Sequence, residues 1–248
     1  MKVLLLDGDI SLYVATTQHE TEIDWGDDFW TLTCDFKSVA QTLDQTITDL
    51  VKKTKVDKVE VCLSDKGNFR KDINPSYKSN RKSSRKPICF VPARDYLIDN
   101  YDVYIRKTLE ADDVIGVRAT RPAYSEVCEY IIASPDKDLL TVPGLHWDYR
   151  EEVIHQVSEK QADHFFYTQV LTGDAVDGYS GCPGIGPKKT EKLLESCEDH
   201  RDYWIKIVNT YESAGLTEDD AIMNARMARI LRWNDYQDTK VDLWNPPI

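Results

Sequence analysis

The apolar and polar positions of this chain change rhythm along its length. Residues 2–6 lead into a wholly apolar run that stops at Asp7, the pattern of a short strand buried on both faces. From Asp35 onward, Phe36, Val39, Ala40, Leu43, Ile47, Leu50 and Val51 recur at helical spacing, with Asp35 where an N-cap belongs. Residues 59–63 read as a second buried strand and residues 92–101 as a helix opened by Pro92. Residues 103–106 follow as a strand, 110–119 as a helix and 130–133 as another strand. Two short runs, 145–149 and 153–157, have the length to pair with each other. Ser158 with Gln161 is a capping box for a helix to about Leu171. Beyond it, turns rich in Gly and Pro separate helices near 188–195, 203–211 and 217–233. Strand and helix alternate first and helices alone follow. That order predicts an α/β protein: a mostly parallel, helix-flanked sheet over residues 1–172 joined to a helical module over 173–248.

Composition excludes several classes. The chain has 248 residues, 41% hydrophobic and 30% charged, as ordinary globular proteins do. No run approaches the ~20 apolar residues of a membrane span, and nothing at residues 1–6 resembles a secretory leader. A cytoplasmic protein without membrane partners is expected. The six cysteines form no Cys-x-x-Cys pair, which points to free thiols, and the five histidines show no paired spacing that would hold zinc.

Charge changes the picture more. The net charge is −12, yet residues 66–94 hold nine basic side chains (Lys66, Arg70, Lys71, Lys78, Arg81, Lys82, Arg85, Lys86 and Arg94) and one acid, Asp72. A basic patch on an acidic protein suits phosphate recognition, and Phe69, Tyr77 and Phe90 interleave the charges as stacking platforms would. A solvated charge run is the bland alternative.

Acids, in turn, recur just beyond the predicted strands: Asp7 and Asp9, Asp65, then Glu110, Asp112 and Asp113, then Asp136 and Asp138. Ligands of open α/β sheets bind at the carboxyl ends of the strands, so these groups are expected to meet there, with Asp174 and Asp177 joining them. Alone, each pair is a turn, a helix cap or an acidic helix start. Together they could stay ionised only beside cations, and all-oxygen ligands select Mg²⁺ or Mn²⁺. Two such ions roughly 4 Å apart would clamp a phosphodiester. The turn Gly181-Cys-Pro-Gly-Ile-Gly-Pro-Lys-Lys precedes a helix. Its amides, with Lys188 and Lys189, suit phosphate, and the carbonyls of Gly184 to Gly186 suit a monovalent cation.

With these residues in view, the sequence resembles the flap endonuclease/5′→3′ exonuclease family, in particular its branch in short-tailed bacteriophages. The matching stretches are LLLDGD (4–9), SDKGNFRK (64–71), NPSYKSNRK (74–82), LEADDVIG (109–116), SPDKDLL (134–140), LTGDAVDGYSG (171–181), GIGPKK (184–189) and MARILRWNDY (227–236). The resemblance implies a flap-nuclease core with two Mg²⁺ sites. Asp7, Asp65, Glu110 and Asp112 would ligate one ion and Asp136, Asp138 and Asp177 the other, with Asp113 and Asp174 supporting them. It implies a helical arch over residues 66–94, in which Tyr77, Lys78 and Arg81 meet the scissile phosphate while Lys82, Arg85 and Lys86 set binding. It also implies a helix–turn–helix element in which Gly184, Gly186, Lys188 and Lys189 grip duplex phosphates beside K⁺. The implied activity is hydrolysis from 5′ ends of duplex DNA, extended to flaps and to RNA primers in hybrids, in the host cytoplasm for a phage protein. Two departures stand out. Asp9 is an extra acid of open role, and Gly178-Tyr179-Ser180 replaces the Asn-Ile-Pro common after the last acidic pair. A haloacid-dehalogenase-type phosphatase would share Asp7-Gly-Asp9-Ile-Ser11, but leaves residues 110–113 and the glycine turn unexplained.

Overall fold

The computed structural model describes residues 1–80, 85–122 and 128–247. In chain order its first elements are β1 (Lys2–Asp7), α1 (Gly8–Gln18), β2 (Glu20–Asp24), β3 (Trp30–Cys34), α2 (Phe36–Thr54), β4 (Lys58–Cys62) and α3 (Phe69–Ile73). Then come α4 (Phe90–Asn100), β5 (Val103–Tyr104), α5 (Ala111–Ala119), β6 (Glu129–Ala133), a 3₁₀ turn (Lys137–Thr141), β7 (Gly144–Asp148) and β8 (Val153–Val157). The last part holds α6 (Glu159–Thr172), α7 (Pro187–Leu194), α8 (His200–Ser213), α9 (Glu218–Ala228), a second 3₁₀ turn (Trp233–Asp235) and the short pair β9 (Tyr236–Gln237) and β10 (Lys240–Val241).

Six strands form one sheet in the order β5-β4-β1-β6-β7-β8, parallel except for the last pair, as the sequence predicts. β1 lies at its centre, which explains its unbroken apolar run. Leu4 and Leu6 pack with Leu12, Leu43, Ile47 and Leu97 on the face covered by α1, α2 and α4. Val3 and Leu5 pack with Val114, Ile115 and Ile132 on the other, and Ile230 and Leu231, from beyond α9, join this second cluster. A third cluster lies among α6, α8 and α9 and includes Tyr77. Asp35 caps α2 by accepting from the amides of Lys37 and Ser38, and Ser158 and Gln161 close the expected capping box on α6. Residues 8–34, unassigned from the sequence, form α1 and a separate antiparallel hairpin. Helix α9 stops at Ala228, short of the expected 233. Among the described residues no helix is long and apolar enough to cross a membrane, and all six cysteines are free thiols.

Candidate active site

Parallel register sets the site. Asp7 pairs with Cys62 of β4 and Leu6 with Ala133 of β6, so the chain leaves all three strands at one sheet edge. There a cavity of about 530 Å³ is lined by Asp7, Asp9, Glu110, Asp112, Asp136, Asp138, Asp174 and Asp177, with Lys78 and Lys137 as its cations. Asp7 also caps α1, accepting from the Ile10 amide at 3.1 Å, so it does both jobs open to an Asp-x-Asp pair. Glu110 opens α5 and Asp136 opens the 3₁₀ turn that carries Asp138. The loop bearing Asp174 and Asp177 is cinched by two glycines. A Cβ on Gly173, whose φ is +67°, would lie 2.3 Å from the Ser180 carbonyl carbon. One on Gly181 would lie 2.3 Å from the amide of Gly173, so neither position admits a side chain.

These carboxylates crowd one another. Burial, with Coulomb repulsion from Asp9 and Asp136, raises Asp7 to about 6. Burial, together with Asp136, raises Asp138 to about 6, and burial near Asp7 drives Asp112 up as well. Glu110 behaves differently: burial opposes its charge, but Lys78 and Arg70 outweigh burial and bring it to about 2. Lys78 Nζ donates to Glu110 Oε1 at 2.7 Å and lies 3.4 Å from Asp177. Its own amide donates to the Asp177 carbonyl at 2.9 Å from a left-handed φ of 52°. As the side chains stand, no three acidic, His or Cys groups among the described residues close on one point. Lys78 and the Tyr77 hydroxyl lie between Glu110 and Asp177. The donor set itself, oxygen only and too crowded with carboxylates to remain fully ionised unaided, fits hard divalent cations.

Several expected residues stand elsewhere. Asp65 does not line the cavity, although its neighbour Ser64 does. Its carboxylate accepts from the amides of Thr108 at 2.8 Å and Gly67 at 3.3 Å, holding a turn in which Thr108 has φ 63°. Asp113 is fully buried and binds Arg70 through both oxygens at 2.7 Å, and its Oδ2 accepts from the Glu110 amide at 3.3 Å, so it supports the cavity from behind. Tyr77 is no stacking platform: it is 3% exposed and its hydroxyl donates to Glu110 at 2.9 Å and Asp177 at 3.2 Å. Phe69 and Phe90 are buried too. Arg85 pairs with Glu20, and Lys86 Nζ lies 4.4 Å over the Phe90 ring. Arg81 and Lys82 lie outside the described residues, as does the middle of the expected arch.

Arg70 escaped the sequence reading. Set among eight other basic residues, it is nonetheless buried, and it binds Asp113, Glu110 and the carbonyls of Met227 and Arg229. Asp9, of open role in the sequence, lines the cavity beside Asp7. In the glycine turn, Gly186 is the N-cap of α7 and Pro187 its first residue, with Lys188 exposed. Lys189 Nζ donates to the Gly184 carbonyl at 2.8 Å, one of the oxygens expected for a monovalent cation.

Comparison with known proteins finds relatives by sequence and by fold. The family model for the 5′-3′ exonuclease N-terminal resolvase-like domain matches residues 2–166. The exonuclease of Escherichia phage T7 is 31% identical, the match covering 98% of this chain and 93% of that protein. A flap endonuclease Xni of Shewanella oneidensis is 30% identical over 53% of this chain and 54% of its own. In fold, the bacteriophage T5 D15 flap endonuclease solved with DNA and metal ions aligns with a TM-score of 0.67 at 16% identity, covering 92% of this chain and 89% of its own.

Proposed function

The chain belongs to the 5′-3′ exonuclease family, and on that premise we propose that it hydrolyses phosphodiester bonds from the 5′ ends of duplex and flapped DNA, and of RNA primers in hybrids. The observation that carries this reading is the gathering of eight carboxylates, with Lys78, in one cavity at the strand ends. Asp7, Asp9, Glu110, Asp112, Asp136, Asp138, Asp174 and Asp177 would hold two divalent cations, Mg²⁺ or Mn²⁺. When bound, these ions supply an acidified water and neutralise charge on the attacking and leaving oxygens.

The chain's own residues do the rest. The carboxylates fix an anionic cradle that tolerates phosphate only with cations present. Lys78, an ammonium at the cavity wall, stabilises the extra negative charge of the phosphorane-like transition state, and Arg81 is assigned the same task. Tyr77 and Arg70 orient Glu110, and Asp113 orients Arg70. Asp65 holds the 107–109 turn through Oδ2, and its place in the cation set rests on the resemblance alone. For the duplex, the amide ends at the start of α7, with Lys188 and Lys189, are the proposed phosphate grip of a helix–turn–helix element. K⁺ would take the Gly184 and Gly186 carbonyls there in place of the Lys189 ammonium. Arg85, Lys86 and Lys82 supply sequence-independent affinity. The test is Mg²⁺-dependent digestion of duplexes labelled at the 5′ or the 3′ end, with flap and RNA/DNA substrates alongside. Early release of the 5′ label with the 3′ label retained is expected, and loss of the 3′ label first refutes the direction assigned here.

A further inference from the structure

Between α1 and α2 the chain builds a hairpin that neither joins the six-stranded sheet nor lines the carboxylate cavity. Its base is fixed. Glu20, at the start of β2, accepts from Arg85 Nη1 at 2.9 Å and from the Ile88 amide at 2.7 Å, and the Cys34 carbonyl, at the end of β3, receives the Cys89 thiol. Its tip is presented outward: Trp25, Phe29 and Trp30 are 64%, 61% and 56% exposed. A two-stranded ribbon gains stability by burying apolar surface, and this one leaves its largest rings in water, as interaction surfaces do. The turn is built with Asp27 and Asp28 in left-handed backbone, φ 52° and 58°, where glycine sits with less strain. The strained choice keeps two carboxylates at the tip.

Charge identifies the kind of partner. Residues 20–35 carry six acids (Glu20, Glu22, Asp24, Asp27, Asp28 and Asp35) and no Lys or Arg. Such a surface repels a phosphate backbone, which separates it in function from the basic stretch at 66–94. Anions interleaved with exposed rings fit a groove lined by Lys, Arg and aromatic side chains. Grooves that take single-stranded nucleic acid are built this way, because the strand offers phosphates and base faces in alternation. We propose that the hairpin Glu20–Cys34 docks, as a mimic of a single strand, into the groove of an OB-fold single-stranded-DNA-binding protein. Trp25 and Trp30 supply the rings, with Trp25 oriented by its Nε1–Thr31 hydrogen bond of 2.8 Å, and Asp27 and Asp28 supply the charge.

The test uses the whole chain and, as probe, the OB domain of a tetrameric bacterial single-stranded-DNA-binding protein freed of its acidic tail. Titration calorimetry at low salt should show binding that oligo-dT displaces and high salt weakens. The triple variant Trp25→Ala/Phe29→Ala/Trp30→Ala should weaken it roughly tenfold or more, and so should Asp27→Asn/Asp28→Asn, which keeps residues tolerant of the left-handed turn. Digestion of a bare duplex should stay at the wild-type rate in both. Absence of binding at low salt, or equal binding by wild type and both variants, overturns the proposal. So does a loss of affinity for bare duplex, which makes the hairpin a nucleic-acid contact instead.

Discussion

Arg70→Met isolates the interaction on which the buried side of the site depends. Arg70 is 3% exposed and Asp113 0%, joined by two hydrogen bonds of 2.7 Å. Removing the guanidinium leaves a carboxylate in a dry interior and two carbonyls, of Met227 and Arg229, without this donor. Breaking a buried pair from one side costs roughly 3–5 kcal/mol, against a total stability of about 5–15 kcal/mol. Each kcal/mol moves the melting point of a domain this size by about 2–4 °C, so a fall of roughly 6–20 °C is expected. Lys53→Met is the control. Its pair with Glu152 is 44% and 55% exposed, and such pairs contribute about 0–1 kcal/mol. Adding Asp113→Asn to Arg70→Met discharges the stranded acid while keeping an oxygen for the Leu231 amide, 3.1 Å away in the wild type, so stability should partly return. Urea and thermal unfolding in chelator read all four proteins. An Arg70→Met loss below about 1 kcal/mol, or a double variant no better than the single, refutes the reasoning.

Tyr77→Phe removes hydroxyl bonds to Glu110 and Asp177, and a stability loss of about 1–3 kcal/mol with duplex affinity intact is expected; weaker DNA binding at unchanged stability contradicts the buried role. Gly173→Ala places a methyl against the Ser180 backbone at positive φ, so both turnover and the melting point should fall, which equal rates in wild type and variant would disprove. The folded pKa values of Asp7 and Asp138, about 6, exceed their ordinary 3.8, so their contribution favours folding at low pH and is lost as pH rises through 6. Urea midpoints of metal-free protein should therefore decline between about pH 4 and pH 7, and added Mg²⁺ should flatten the decline; a rising midpoint reverses the sign. Glu110, lowered to about 2 from 4.5, acts oppositely: its contribution is full above 4.5 and is lost as pH falls through 2.

Periodicity exposed the elements whose apolar faces are fully used. The α2 stripe and the unbroken β1 run each report a buried surface, and both stand where the pattern puts them. Helix α1 stayed hidden because Tyr13 and Val14 are exposed beside buried Leu12 and Ala15, which blurs its stripe. The hairpin stayed hidden because neither of its faces is buried well. Within the site, the acids at strand ends were legible from topology, whereas the choice between Ser64 and Asp65 was not. Strand alternation ends with β4 at Cys62, and in the loop beyond it hydrogen bonds to the 108 turn hold Asp65 while Ser64 lines the cavity. Burial inside a basic run leaves no trace in composition, so Arg70, Phe69 and Tyr77 resembled solvent-facing neighbours. Their partners, Met227 and Arg229 for one, are too distant in sequence for any local pattern to show.

That separation has a bearing on the protein's synthesis. Arg70 waits 157 and 159 residues for its carbonyl partners, and Ile230 and Leu231 fill the core beside α5 only after that. Until the ribosome has delivered them, the guanidinium holding Glu110 is half-satisfied and the face of α5 uncovered. We expect a nascent chain stalled before residue 227 to be without nuclease activity and readily proteolysed near α5, and one whose residues 227–241 are held clear of the ribosome by an added C-terminal linker to be active and resistant. A cell making this enzyme would then meet no cutting activity until the residues that follow α9 have been made and released, so translation itself times the arrival of the nuclease.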